Sequence, residues 1–464
     1  MNKVDKACFY ALLLLLVWLP IPLGSNRLWA WSLFEIAVSF VFIFFIISSY
    51  LANRKFPIER LTRFFWLILP LVTYQIWAFI QLVPIPIDTL SYISPNAYVF
   101  YKQFGHSFAP ITLDPVATRM NLFKGITFTL FVLCVILFVN TPNRVKNVLL
   151  TLLLSGLFQA TYGAFEILSG VEQSLIFELQ VDRAATGSFI YKNHFANYLV
   201  MCLCSGIALI VANLHATSSG SWFVRFQRWI SAILSGKMLV RLAMVVVVIA
   251  LVMSRSRMGN TAFFVASCIG GIVALLFYKQ KPRALVALII SVLMIDAIVV
   301  GSLFGVSKVQ QRIAETSFTQ ETRDEVVEWS LPIISDFPLT GTGMGSFYSV
   351  FPAYSKYNIG FYDHAHNDYL QFAVEAGIPA TLLLGFPCLW ALWLCVKSMR
   401  TRNSRTLKGT ALGCFMAILA MLIHISVDFM LQAPANAVTF LTILVLAGCS
   451  ASMKISRRSE KDYV

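Results

Sequence analysis

Twelve apolar runs, most of them at or above the roughly 17–25 residues that a helix needs to cross a bilayer, constrain this chain more than anything else in it. They lie at approximately 7–23, 28–52, 61–83, 119–140, 145–168, 191–213, 240–254, 258–278, 284–304, 374–396, 409–430 and 433–453. Hydrocarbon offers no partner to a backbone N–H or C=O, so continuous apolar runs can cross it only as helices. Of the 464 residues, 58% are hydrophobic and only 12% charged, against about a quarter charged in soluble domains. The expected fold is an all-α polytopic membrane protein with about twelve transmembrane helices, one integral membrane domain over 1–464. Lys3 and Lys6 followed by the first run imitate a secretory signal. That run is long for a signal and lacks a small-residue cleavage site, so it reads as a retained first span.

The net charge of +14 does not imply nucleic acid, because the Lys and Arg sit in short clusters between the apolar runs. About twice as many fall on the side of the N-terminus as on the other, the asymmetry that sets membrane orientation. Both termini are therefore expected in the cytoplasm. The three longest polar loops, about 84–118, 169–190 and 305–373, are then outside. All nine cysteines lie inside apolar runs, with no disulfide framework and no zinc spacing.

Against this background Asp363-His364-Ala365-His366-Asn367-Asp368-Tyr369-Leu370-Gln371, running on to Glu375, stands out. So many polar groups are not meant for lipid, where each unsatisfied one costs several kcal/mol; they face water or a substrate. Asp363, His364, His366 and Asp368 are also a plausible metal-ligand set, and His366 also reads as a cap on the following span. Glu375 opens the next span, where a carboxylate is favourable simply as a helix N-terminal charge. Glu35, Glu166, His194, Asp296, His424 and Asp428 are ionisable residues within the spans, all in the outer half. They line a polar site open to the outer leaflet or snorkel to the headgroups. Arg255 and Arg257 stand in a tight outer turn, suited to bidentate binding of a lipid diphosphate or to anchoring on headgroups. Thr322 to Ile334 reads as an amphipathic helix over the outer face, with a Thr322/Glu325 capping box and Arg323 in its first turn. The glycines 341, 343 and 345 follow no strand and make a turn, not a nucleotide loop.

Ser254-Arg255-Ser256-Arg257, the Arg323 to Trp329 helix, Asp336-Phe337-Pro338 with Gly341-Thr342-Gly343, and His366-Asn367-Asp368-Tyr369-Leu370-Gln371 with Glu375-Ala376-Gly377 resemble the O-antigen ligase and polymerase superfamily. The resemblance covers roughly 185–435 and takes in Tyr191 to Asn197 and His424 to Phe429 with Pro434 to Ala437. It implies a GT-C-like, metal-independent, inverting glycosyltransferase without a cofactor. Such an enzyme takes a glycan from undecaprenyl diphosphate at the periplasmic face of the bacterial inner membrane and joins it to an acceptor hydroxyl. By position in the motif His366, Arg257 and Arg323 carry over as catalytic, Arg255 and Arg257 as donor-diphosphate ligands. His364, Asn367, Tyr369, Gln371, Glu375, His194 and Asp428 are the substrate-binding candidates. The acceptor stays open: lipid A–core for a ligase, a lipid-linked repeat for an O-antigen or exopolysaccharide polymerase, a serine or threonine for a protein-glycosylating member. Other polysaccharide-assembly proteins are the expected partners. From another class, a transporter of lipid-linked glycans fits the hydropathy, but no internal repeat supports it.

Overall fold

A computed structural model describes residues 3–181, 183–213, 236–278 and 323–453, with single positions at 286, 290, 291 and 294. Thr322, Asp296 and nearly all of the run at 284–304 lie outside the described residues.

The chain is an all-α polytopic membrane protein. Among the described residues nine helices are long and apolar enough to cross a membrane. Numbered over the described elements, these are α2 (Leu28–Leu51), α4 (Phe65–Leu82), α7 (Pro115–Phe138), α8 (Pro142–Ser169), α9 (Lys192–Ala212), α11 (Arg257–Phe277), α15 (Ile378–Thr401), α16 (Arg405–His424) and α17 (Pro434–Ser452). The shorter apolar helices α1 (Lys3–Trp18) and α10 (Gly236–Met253) fall on the first and seventh expected runs. Local chemistry sets several starts: Asp114 and Thr141 cap α7 and α8 ahead of Pro115 and Pro142, and Ser404 caps α16. In each the side-chain oxygen takes an otherwise orphaned N–H, and in α7 and α8 the proline at N1 has none to lose.

Packing is graded from the inside out. Helix α9 is buried almost all round, whereas α2 turns most of its surface outward. The tightest seam is between α9 and α16, where Gly409 and Gly413, one turn apart, face the backbone of Cys204, Ala208 and Ala212. Between lipid-solvated helices close backbone approach replaces the hydrophobic drive, and small residues four apart permit it.

A second apolar core caps one end of the bundle. It is built from α5 (Ile87–Ile93), α6 (Pro95–Lys102), α12 (Arg323–Asp336), α13 (Phe347–Val350) and α14 (Asp368–Ala376), with a two-residue pairing of Ile85–Pro86 on Phe108–Ala109. Val326, Trp329, Ser330 and Ile333 are the buried face of α12, the i, i+3, i+4, i+7 spacing of an amphipathic helix. Gly343 (φ 111°) lies in the turn between α12 and α13, and a Cβ there would collide with Thr112 Oγ1.

Two boundaries differ from the sequence reading. Glu375 does not open a span: it belongs to α14, and the spanning helix α15 begins at Ile378, beyond Gly377 (φ 83°). Only glycine takes that backbone without strain, so apolar periodicity runs straight across a break it cannot register. Asp428 lies beyond the end of α16, in the connection to α17, and not inside a span.

Candidate active site at the capped end of the bundle

The site forms where α14 is bolted to the α16–α17 connection. Asn367 caps α14 by accepting from Leu370 N–H, and Asp368 N–H donates to Ile425 O. The buried Asp368 carboxylate accepts from Leu431 N–H at 2.8 Å and Gln432 Nε2 at 3.0 Å. Tyr369 reaches across to donate its hydroxyl to Leu422 O at 2.9 Å. From below, Trp77 and Gln81 of α4 donate to the Ala376 and Glu375 carbonyls. These bonds hold the segment carrying His366 against the one carrying Asp428.

His366 Nδ1 lies 3.1 Å from Asp428 Oδ1. The other Asp428 oxygen accepts from Asn193 Nδ2, and Oδ1 also accepts from Phe429 N–H at 3.0 Å. Burial pushes the Asp428 carboxyl up, but the hydrogen bond and charge of His366, with His194 and Asn193, outweigh it and hold the group at about 2. An ionised Asp428 requires the proton on Nδ1 of His366, which leaves Nε2 as an acceptor. His366 also has a left-handed backbone (φ 49°), a conformation that costs a non-glycine residue about 1 kcal/mol or more and clusters at functional sites.

His364 serves differently. Its Nδ1 accepts from Gln371 Nε2 at 3.0 Å, and Gln371 also donates to Glu375 Oε1 at 3.0 Å while its own oxygen takes Ala365 N–H. Burial pushes His364 down to about 4, so it is neutral at pH 7. Glu375 Oε2 takes Gly345 N–H at 2.8 Å. His194 Nε2 lies 3.2 Å from Phe429 O. The Phe429 ring packs against all three imidazoles, with centroid distances of 4.5 Å to His364, 4.8 Å to His366 and 4.9 Å to His194. No group of three or more His, Cys, Asp or Glu among the described residues is arranged to hold a metal.

Arg255, Arg257 and Arg323 are exposed. Arg257 and Arg323 are the first residues of α11 and α12, and Arg255 (φ 52°) sits in the turn before α11, whose start Ser256 caps through Gly259 N–H. No contact joins these arginines to the His366 cluster among the described residues. The cation beside the cluster is one that the sequence analysis did not single out. Lys124 lies about 14 Å along α7 at 1.5 Å per residue, donates to Gln432 O at 3.2 Å and stands 4.6 Å from the Trp31 ring. Together with Glu375, Gln432 and Asn121 it lines a cavity of about 180 Å³ that otherwise has apolar walls such as Leu71, Phe128 and Leu444. A lysine inside an apolar run was the available signal, since Lys124 falls within the run at 119–140. Asn193 and Phe429 lie in stretches that the family resemblance takes in, but only folding brings them to His366.

Residues 242–385 match the family model described as O-antigen ligase, and no curated protein matches the chain. The matched stretch contains Arg255, Arg257, Arg323, His364, His366 and Glu375, and over this stretch the chain is similar to the O-antigen ligase family.

Proposed function

We propose that this protein is an O-antigen ligase-like glycosyltransferase. It moves a glycan from undecaprenyl diphosphate to an acceptor hydroxyl, that of lipid A–core, at the periplasmic face of the bacterial inner membrane, with both termini in the cytoplasm. The observation that carries the reading is the His366–Asp428 pair at the capped end of an apolar bundle. His366 Nε2 takes the proton of the acceptor hydroxyl as its oxygen attacks the anomeric carbon. The bond from that carbon to the diphosphate oxygen breaks on the opposite face, so configuration inverts and undecaprenyl diphosphate leaves. Asp428 holds the tautomer and balances the imidazolium that forms, the part a buried carboxylate plays beside a catalytic histidine. The negative charge that builds on the leaving diphosphate calls for Arg257, Arg323 and Arg255; Arg257 and the N-terminus of α11 favour an anion at the same place. Asn367, Tyr369, Gln371, Glu375 and His194 shape the acceptor side. Every role is filled by a residue of the chain, so the reaction needs no metal.

A polymerase, adding the glycan to a lipid-linked repeat, is the alternative, favoured by the Val427-Asp428-Phe429 and Pro434-Ala435-Asn436 stretches. One experiment decides. Purified protein with EDTA is given an undecaprenyl-diphosphate glycan and, separately, lipid A–core or lipid-linked repeat, beside a His366→Ala control. Release of undecaprenyl diphosphate that needs His366 supports the transferase, and the acceptor that gains mass separates ligase from polymerase. Intact donor throughout, with donor crossing liposome membranes, means a transporter instead. Phe361, 91% exposed in the cap, changed to cysteine should react with a periplasmic thiol reagent; protection there overturns the orientation.

A further inference from the structure

The end of the bundle away from His366 carries a cavity of about 510 Å³ that the transferase reading does not use. Its walls are the 55–64 segment with α3 (Ile58–Thr62), the C-terminal end of α7 with Asn140, and the C-terminal end of α17. Lys55, Arg60 and Arg63 line it, with Glu59 the one acid among its lining residues. Not all three cations are available. Two helices end here, and their carbonyls carry partial negative charge; Arg60 answers one of them, donating to Leu137 O at 2.9 Å, and Arg402 the other, donating to Met453 O at 3.0 Å. Among the described residues Arg63 has the 3.8 Å contact with Glu59, whose side chain is 91% exposed, a pairing of little strength in water. Lys55 is exposed and has no partner among the described residues. Helix α4 also starts beside the cavity, at Phe65 after the lining residue Phe64, a further preference for an anion. The remaining lining is apolar: Phe56, Ile58, Phe64 and Ile136. Phe56 and Ile58 are also exposed on the protein surface, so the apolar wall continues out toward lipid.

We infer that this cavity is a binding site for a phospholipid with an anionic headgroup: the phosphate at Lys55 and Arg63, the glycerol and the start of an acyl chain along Phe56 and Ile58. Charges that merely fix orientation need neither a concavity nor an apolar wall behind them, whereas an amphiphilic anion uses all three features. Basic pockets between membrane helices select anionic headgroups on this principle, at about one order of magnitude in affinity for one to two cations. The inference does not depend on what the His366 site does.

Native mass spectrometry of the full-length protein in detergent tests it, with phosphatidylglycerol and phosphatidylcholine of the same acyl chains offered separately. Phosphatidylglycerol should be held about tenfold more tightly. The preference should vanish in the Lys55→Gln/Arg63→Gln double variant and in Ser452→Phe, which fills the cavity from α17 and leaves the charges in place. It should survive in Arg400→Gln, which removes an exposed cation outside the cavity. Equal retention of the two lipids overturns the proposal, as does a loss in Arg400→Gln as large as in the double variant, which would mean diffuse surface charge. Release of phosphatidylglycerol by equimolar inorganic phosphate would mean a simple anion site and would also overturn it.

Discussion

Replacing Asp428 by asparagine removes one charge from the proposed catalytic pair while keeping its shape. Asp428 accepts from His366 Nδ1, Asn193 Nδ2 and Phe429 N–H. An asparagine oxygen placed on the Oδ1 side still accepts from His366 and Phe429; its amide then points at Asn193, which adapts by turning its own amide. The fold is therefore kept, and the change falls on the reaction. A charge-assisted hydrogen bond contributes about 1.5–3 kcal/mol against about 0.5–1.5 for a neutral one. The difference is felt most when His366 becomes an imidazolium in the transition state. A loss of about 1–2 kcal/mol there lowers kcat about 5- to 30-fold. Because the substrate ground state does not use the charge, KM should hardly move. Asn193→Ala, which removes only one supporting bond, should cost about 1 kcal/mol, or about fivefold. The assay is release of undecaprenyl diphosphate at saturating donor, with thermal unfolding in detergent as the check on folding. A folded Asp428→Asn protein that keeps more than a third of the wild-type kcat would refute the pairing as part of catalysis.

Three further outcomes follow from the same geometry. His364 is held near 4 by burial, below its unfolded value, so the unfolded chain binds the extra proton first; stability should decline as pH falls from about 6.5 through 4, and Asp428, held at about 2, should add a second loss below about 4, both readable as unfolding temperature against pH and the second absent in Asp428→Asn. Gly413→Val forces a branched side chain against Cys204 and Ala208 of α9 and should destabilise the fold by about 3 kcal/mol or more, whereas Gly385→Ala, whose Cβ meets nothing within 4 Å, should be neutral. Arg257→Lys keeps a positive charge but loses the fork that matches a phosphate; turnover should fall about tenfold or more with unfolding temperature unchanged, and full activity would remove Arg257 from the diphosphate site.

Much of the site was readable because its parts carry local signals. The polar stretch from Asp363 to Gln371 is conspicuous in an apolar chain, and the amphipathic spacing of α12 reappears as its buried face. Where the reading failed, the cause was physical in each case. Periodicity does not see a left-handed glycine, so α14 and α15 were merged across Gly377. Lys124 lies inside the run at 119–140, but residue order does not tell a lysine that reaches a cavity from one that snorkels to the headgroups.

What the sequence determined by itself is the solvent and the class of fold: hydrocarbon leaves a chain of long apolar runs only the helix, and the few polar groups among them mark where water and chemistry meet. Only the tertiary structure decided which of those groups act together. His366 and Asp428 are 62 residues apart in the chain, and Asn193 is 235 residues from Asp428. They meet because α9 packs on α16 through Gly409 and Gly413, and because Asp368 ties α14 to the connection that follows α16. Pairing of this kind depends on backbone approach and buried hydrogen bonds between distant segments, and neither leaves a periodic trace in the order of the residues.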